Sequence, residues 1–202
     1  MYSLVNEITV LGTKGTKGAE GGTSAFLIDA HNVLDAGNLL RPMKEAVAEI
    51  ETIWLTHSHL DHIVDIAYIL DSYFPQRKKP LRLRGLPATL KAIQQHYLND
   101  ILWPDFSKIK LLESEEMALT YEPIIVGEVY PLDKESSVEA FATDHTVESC
   151  GYILNRGKSS VLITADTYEL DSAVDLAVNS HTITTLVIEC SFPSSMDVLA
   201  KE

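Results

Sequence analysis

The chain has 202 residues, of which 46% are hydrophobic, and its formal net charge is −13 at pH 7. A chain of this length and composition can bury a sizeable core, so we expect one compact domain over residues 1–202. The acidic balance argues against a surface that grips a nucleic acid, because nucleic-acid binders usually display a basic face. An anionic substrate would therefore have to bind at a local positive charge within an otherwise acidic protein.

The sequence indicates neither a targeting signal nor a site built from cysteines. No apolar run approaches the roughly 20 residues needed to cross a bilayer. The first ten residues alternate like a strand rather than a signal peptide, so we expect a cytoplasmic protein with no membrane partner. Cys150 and Cys190 lie in apolar surroundings without C-x-x-C spacing, which predicts two buried thiols rather than a disulfide or a zinc knuckle.

The first half of the chain is predicted to begin with strands and to continue with alternating helices and strands. A glycine-rich loop separates the first two strands. The predicted elements of this half are, in order, strands at residues 5–11 and 23–28, a helix over 39–50, a strand at 53–55, a helix over 63–70, a strand at 81–83 and a helix over 87–98.

The second half is predicted to be dominated by strands. These are expected at residues 138–143, 150–154, 160–164 and 185–189, with a helix over 171–179. Most of these strands are apolar on both faces, which is typical of sheets covered by helices. The order of elements favours two packed mixed sheets with helices outside.

A dense cluster of metal-binding side chains follows the predicted strand at residues 53–55, where the sequence reads T-H-S-H-L-D-H. His57 and His59 are two residues apart in an extended segment, so they point the same way and can ligate one ion together. Asp61 and His62 lie where the chain turns into a helix and can serve a second ion. Imidazole and carboxylate suit zinc, iron or manganese, and the absence of cysteine ligands disfavours a closed structural zinc site.

Further motifs carry a family resemblance. A D-A-G turn precedes the cluster, and His145 and Asp166 follow it, each directly after a predicted strand. This set resembles the metallo-β-lactamase superfamily across essentially the whole chain. Within it the chain is most similar to the class II 3′,5′-cyclic-nucleotide phosphodiesterases. The segments that carry this closer similarity are residues 57–63, 85–89, 99–104, 149–152 and 189–193.

The resemblance implies an α/β fold, the four-layer αββα sandwich of the metallo-β-lactamases, and a metal-dependent hydrolase. Two divalent ions are implied, with zinc favoured over iron and manganese. The implied ligands are His57, His59 and His145 for one ion, Asp61 and His62 for the other, and Asp166 as the bridge. Such a pair of ions lies about 3.5–4 Å apart and can share one hydroxide, which would attack a cyclic nucleotide such as cAMP or cGMP to give the 5′-monophosphate. Asp61 and Asp166 are the residues to which we assign catalytic roles.

Asp35, in the D-A-G turn, is expected to orient one of the ligands through a hydrogen bond. Asp and Gly are also ordinary turn residues, so a purely structural turn is an equal alternative. The glycine-rich loop lacks Walker spacing, and a hairpin loop is the favoured interpretation.

Three positions depart from the family pattern. Asp65 stands where the family prefers a small Gly or Ser, and Ala165 precedes Asp166 where glycine is common. The third departure is that the sequence stops at Glu202, before the family's last histidine ligand. The second metal would then lack one ligand, and we expect either that the chain is incomplete at its C-terminus or that the protein binds its second ion weakly.

Other functions share parts of this pattern. A tRNase Z-like nuclease would require a basic arm that the sequence does not display, and lactonases or thioesterases of the same fold share the metal ligands. A non-catalytic binding module with a degraded metal site is the alternative from a different class. The expected partner is a small cyclic nucleotide and no long nucleic acid, and a homodimer is left open.

Overall fold

The computed structural model describes residues 2–3, 8–18, 21–180 and 182–190 of the chain. The chain divides into two compact units, Met1–Pro123 and Ile124–Glu202. Each unit contains one β-sheet. Residues 5–7 of the first predicted strand and residues 191–193 of the last family segment lie outside the described residues.

The sheet of the first unit has seven strands whose spatial order is their order in the sequence. The strands are β1 (Tyr2–Ser3), β2 (Thr9–Gly12), β3 (Ala25–Leu27), β4 (Asn32–Leu34), β5 (Thr52–Trp54), β6 (Leu81–Gly85) and β7 (Leu119–Pro123). Neighbours from β1 to β4 are antiparallel, and neighbours from β4 to β7 are parallel. The motif of candidate ligands therefore follows a strand that is paired on both sides.

Helices connect the parallel strands of this sheet. They are α1 (Leu40–Met43), α2 (Leu60–Ile63), α3 (Asp65–Tyr73) and α4 (Pro87–His96), with 3₁₀ turns at Lys44–Glu49, Phe74–Gln76 and Phe106–Lys108. The helix predicted over residues 39–50 is wrong in its extent, because Lys44 takes a φ of 51° and the chain continues as a 3₁₀ helix. Only Val47 of that 3₁₀ helix is buried, which offers little burial to offset the cost of forming a regular helix.

The core of the first unit lies where α3 and α4 cover the parallel strands. Ile66, Ile69 and Leu70 recur at i, i+3 and i+4 on α3 and are fully buried in one cluster with Ile53 of β5 and Leu83 of β6. This packing gives the loop after β5 a rigid base. Among the described residues, no helix is long and apolar enough to span a bilayer.

The second unit contains a five-stranded sheet and one helix. The strands are β8 (Val129–Pro131), β9 (Ser136–Thr143), β10 (Ser149–Arg156), β11 (Ser159–Ile163) and β12 (Ile183–Val187), and the helix is α5 (Asp171–Asn179). The spatial order is β12-β11-β10-β9-β8. α5 has the predicted bounds, and its Ala173 packs in a cluster with Phe141, Ile153 and Leu162.

The cysteines differ from the prediction in one respect. Cys150 is buried in β10, Cys190 is exposed beyond the end of β12, and no disulfide joins them. The prediction of a buried thiol is therefore wrong for Cys190. Among the described strands, β12 lies at the edge of its sheet, so Cys190 has fewer described neighbours to cover it than Cys150 has.

Candidate metal centre

The H-x-H-x-D-H motif begins directly beyond the end of β5. Leu55 still belongs to the ladder, since its N–H donates to the Arg84 carbonyl at 2.7 Å. His59 is extended, with φ −65° and ψ 146°, and is the N-cap of α2. Asp61 and His62 therefore lie in the first turn of that helix, as the sequence predicted.

Asp35 is the buried carboxylate at the base of the motif. Its Oδ2 lies 2.7 Å from Nδ1 of His62. Thr56 donates its backbone N–H to Asp35 Oδ1 at 2.9 Å and its hydroxyl to Asp35 Oδ2 at 2.9 Å. The hydrogen bond predicted for Asp35 is therefore present, and its partner is His62.

These hydrogen bonds select the tautomers of two imidazoles. A carboxylate only accepts, so the Nδ1 of His62 must carry the hydrogen that it shares with Asp35. Because the Thr56 hydroxyl donates to Asp35, it accepts from Nδ1 of His57, which lies 3.0 Å away. Both rings then carry their lone pair on Nε2, the nitrogen that can ligate a metal ion.

The four side chains of the motif lie together. The ring centroids of His57 and His59 are 4.7 Å apart at 81°, and those of His57 and His62 are 4.1 Å apart at 51°. Nε2 of His62 lies 3.6 Å from Oδ2 of Asp61. The division of these side chains between two ions stays a prediction.

The D-A-G turn packs directly against the motif. Ala36 N–H donates to the His62 carbonyl at 2.6 Å. A Cβ on Gly37 would overlap the Asp61 carbonyl oxygen, so only glycine allows the turn to approach this closely. Asp35 itself has a φ of 56°, a left-handed conformation that Asp tolerates better than most residues. The turn is thus both a structural turn and the support of a candidate ligand.

The second unit brings together the other two candidate ligands, His145 and Asp166. β9 and β11 are both antiparallel to β10, so they run in the same direction and end at the same edge of the sheet. His145 follows β9, Asp166 follows β11, and His145 Nε2 lies 3.8 Å from Asp166 Oδ2. Tyr168 N–H donates to the Asp144 carbonyl at 2.7 Å and ties the two loops to each other.

Two residues near the candidate ligands were not identified from the sequence. Thr56 orients His57, and its position directly before the motif was the available signal. Glu189 follows β12, which is parallel to β11, and its N–H donates to Thr164 Oγ1 at 3.3 Å. Glu189 therefore ends its strand at the same sheet edge as Asp166, and its place in a family segment was the available signal. Ala165 has a φ of 55°, a left-handed conformation that costs an alanine more than it would cost a glycine.

The donor set of the motif fits a divalent metal ion. The Asp35 network engages the Nδ1 atoms of two imidazoles, which leaves Nε2 of each ring as the candidate donor atom, and a carboxylate lies beside them. A carboxylate behind a ligating histidine fixes the orientation of the ring and raises the basicity of the ligand nitrogen. This mixture of nitrogen and oxygen donors suits zinc, iron or manganese.

Solved structures identify the fold of the chain. The crystal structure of unliganded yeast PDE1 superposes with a TM-score of 0.75 at 20% identity, over 94% of this chain and 76% of that one. The metallo-beta-lactamase fold protein YhfI from Bacillus subtilis superposes with a TM-score of 0.63 at 18% identity, over 84% of this chain and 67% of that one. The chain therefore has the metallo-β-lactamase fold, and the predicted fold is confirmed.

The family follows from the sequence. The model of the class II cAMP phosphodiesterases matches residues 25–199, so the chain belongs to this family. The predicted family membership is confirmed, and so is the prediction that the family consists of metal-dependent hydrolases.

Curated relatives point to two kinds of hydrolase. 3′,5′-Cyclic-nucleotide phosphodiesterase 1 of Saccharomyces cerevisiae is 31% identical over 91 residues, which are 41% of this chain and 25% of that protein. Nuclear ribonuclease Z of Triticum aestivum is 32% identical over 111 residues, which are 55% of this chain and 57% of that protein. The chain thus spans less than two thirds of the length of these relatives.

Proposed function

We propose that this protein is a cytoplasmic, metal-dependent phosphodiesterase that hydrolyses 3′,5′-cyclic nucleotides, cAMP or cGMP, to 5′-monophosphates. The observation that carries the proposal is the H-x-H-x-D-H motif, oriented by Asp35 in a chain that matches the class II cAMP phosphodiesterase model over residues 25–199. The yeast relative named for this substrate class supports the same choice.

The proposed cofactor is a pair of divalent ions, with zinc as the first choice. The proposed ligands are His57, His59, Asp61, His62, His145 and Asp166. Divalent ions held by these groups would lower the pKa of water toward about 7 and neutralise charge that develops on the phosphoryl oxygens. This local positive charge accounts for binding an anion in a protein of net charge −13.

The protein's own residues orient and hold protons in this proposal. Asp35 keeps His62 in the tautomer that ligates through Nε2, and Thr56 does the same for His57. Asp61 contributes a carboxylate 3.6 Å from His62 Nε2. Asp166 lies 3.8 Å from His145 Nε2 and is the carboxylate that we expect to orient the attacking water and accept its proton.

A second candidate function is ribonuclease Z activity on tRNA precursors. The observation in its favour is the 32% identity to the wheat nuclear ribonuclease Z. The net charge of −13 opposes it, since a long polyanion would be repelled by the protein as a whole. A single cyclic nucleotide carries one charge and suffers far less from this repulsion.

The test compares His59→Ala and Asp61→Ala with His96→Ala, in which the exposed histidine at the end of α4 is removed instead. The wild-type protein loaded with zinc or manganese should hydrolyse cAMP or cGMP. The two motif variants should lose activity on the order of a thousandfold or more, and His96→Ala should retain it. Far-UV circular dichroism and metal content by mass spectrometry are measured on the same samples.

Two outcomes would contradict the proposal. Full activity in either motif variant would refute the assignment of the active site to this motif. A metal-loaded wild-type protein that processes a tRNA precursor but leaves cyclic nucleotides intact would favour the second candidate.

A further inference from the structure

Asp65 is a buried carboxylate three residues after His62, where the family pattern prefers a small residue. Its Oδ2 accepts the backbone N–H groups of Leu39 and Leu40 at 2.8 and 3.1 Å. Its Oδ1 accepts from Nζ of Lys17 at 2.7 Å. The Asp65 side chain is only 4% exposed, and a carboxylate buried to this degree is costly without a cation and hydrogen-bond donors.

Lys17 belongs to the glycine loop, which we define as the described residues 12–18 and 21–22. The base of this loop is closed by Thr13 N–H and Lys14 N–H, which both donate to the Gly22 carbonyl at 3.0 and 3.1 Å. Within the described residues, the bond from Lys17 to Asp65 is the one side-chain hydrogen bond that joins residues 15–18 to the rest of the first unit. The position of the tip of the loop therefore depends on this pair.

The glycine loop lies against a candidate metal ligand. A Cβ built on Gly15 would be 3.8 Å from Oδ2 of Asp61, which is ordinary van der Waals contact. The tip of the loop and the Asp61 carboxylate are thus adjacent. A movement of the tip would uncover that carboxylate on one side.

We propose that Lys17 and Asp65 form a latch that holds the glycine loop against Asp61, and that the latched loop is one wall of the substrate site. Both are positioning residues, because they act through the loop. The latch depends only on the ion pair and the loop geometry. The role of the loop as a wall rests on the proposed function.

Hydrogen–deuterium exchange tests the latch without any need for activity. Lys17→Met and Asp65→Asn should accelerate exchange of peptides from the glycine loop by about tenfold, since each removes a charge-assisted hydrogen bond to a buried group. Lys17→Arg, which keeps the cation, should restore slow exchange. Lys79→Met is the matched control, because it breaks an ion pair of the same 2.7 Å length, to Glu51, elsewhere in the unit. Unchanged exchange of the loop in Lys17→Met would overturn the latch, even if Asp65→Asn does not fold.

Steady-state kinetics test the wall. Lys17→Met should raise the KM for the cyclic nucleotide by about tenfold and change kcat by less than about twofold, because the loop contributes binding rather than chemistry. Its metal content should equal that of the wild type. Faster loop exchange without a change in KM would refute the role of the loop as a wall of the substrate site. It would still support the role of Lys17 and Asp65 in holding the loop. A wild-type protein that hydrolyses no cyclic nucleotide, yet shows the exchange response, would overturn the proposed function alone.

Discussion

Thr56 links a buried carboxylate to a candidate ligand through one hydroxyl. The hydroxyl lies 2.9 Å from Asp35 Oδ2 and 3.0 Å from His57 Nδ1. We predict that Thr56→Val, which keeps the shape of the side chain, weakens zinc affinity by about 10–100-fold, because the tautomer of His57 is no longer fixed. Competition with a chromophoric chelator measures this affinity.

The control for this prediction is Thr89→Val. Thr89 Oγ1 is also buried, but it has no hydrogen-bond partner among the described residues. Removing such a hydroxyl should leave zinc affinity unchanged and should not lower the free energy of unfolding. Equal losses of zinc affinity in both variants would show that the Thr56 hydroxyl has no special role.

Arg77 is buried with incomplete hydrogen bonding. Its Nη2 donates to the Ile50 carbonyl at 2.8 Å, while Nε and Nη1 have no partner among the described residues. Burial lowers the pKa of Arg77 to about 10, so the side chain stays charged at neutral pH but its charge is less stable here than in water. We predict that Arg77→Met leaves the free energy of unfolding unchanged or raises it by about 1 kcal/mol, measured by urea denaturation.

Arg84→Met provides the comparison. Arg84 pairs with Glu122 at 2.6 Å and lies over the Trp54 ring at 4.9 Å, so its charge is compensated. Its removal should lower the free energy of unfolding by about 1 kcal/mol. A larger loss for Arg77→Met than for Arg84→Met would refute the prediction. For wild-type Arg77, the pKa below its ordinary value means that stability should rise only as pH climbs above about 10.

The grouping of the motif residues and an orienting role for Asp35 were predictable, whereas the pair of Lys17 and Asp65 was not. The spacing of His57, His59, Asp61 and His62 is local, and alternation in an extended segment is enough to group them. Asp65 pairs with Lys17, which lies 48 residues away in the sequence, and no local pattern encodes that pair. Long-range pairing of this kind is set by packing rather than by periodicity.

Gly151 occupies a position in β10 where no side chain fits. A Cβ there would overlap Cζ of Phe141 and would lie 2.6 Å from the Ile163 carbonyl oxygen. We predict that Gly151→Ala destabilises the protein by about 1–3 kcal/mol through overpacking, measured by thermal denaturation. Gly18→Ala is the control, because a Cβ on Gly18 would meet nothing within 4 Å. Equal melting temperatures for the two variants would contradict this account.

Elements with a clear period were predicted best. α5 has the predicted bounds, and α4 begins at the predicted Pro87. Four strands, β1, β4, β7 and β8, were not predicted as separate elements. β1 has two residues and β4 and β8 have three each, too few to show alternation, and β7 ends in a proline. Such strands form because a neighbour supplies their hydrogen bonds, which a local pattern cannot reveal.

The net charge of −13 acts on the whole molecule. Self-repulsion at this charge disfavours the compact state, and salt screens it. We predict that the melting temperature at pH 7 rises when sodium chloride is increased from about 0.02 to 0.2 M, over which the Debye length falls below about 10 Å. At pH 5, close to the pI of 4.9, the same step should have little effect. A salt effect of equal size at both pH values would exclude self-repulsion as the cause.

The sequential order of strands in the first sheet bears on how the protein is made. From β1 to β7, each strand pairs with the strand synthesised just before it. A chain leaves the ribosome at about 5–20 residues per second, and domains fold as units from the N-terminus. Each new strand of the first sheet can therefore pair with a strand that has already been synthesised. The bond between Asp35 and His62 can form during translation, before His145 and Asp166 have been added to the chain.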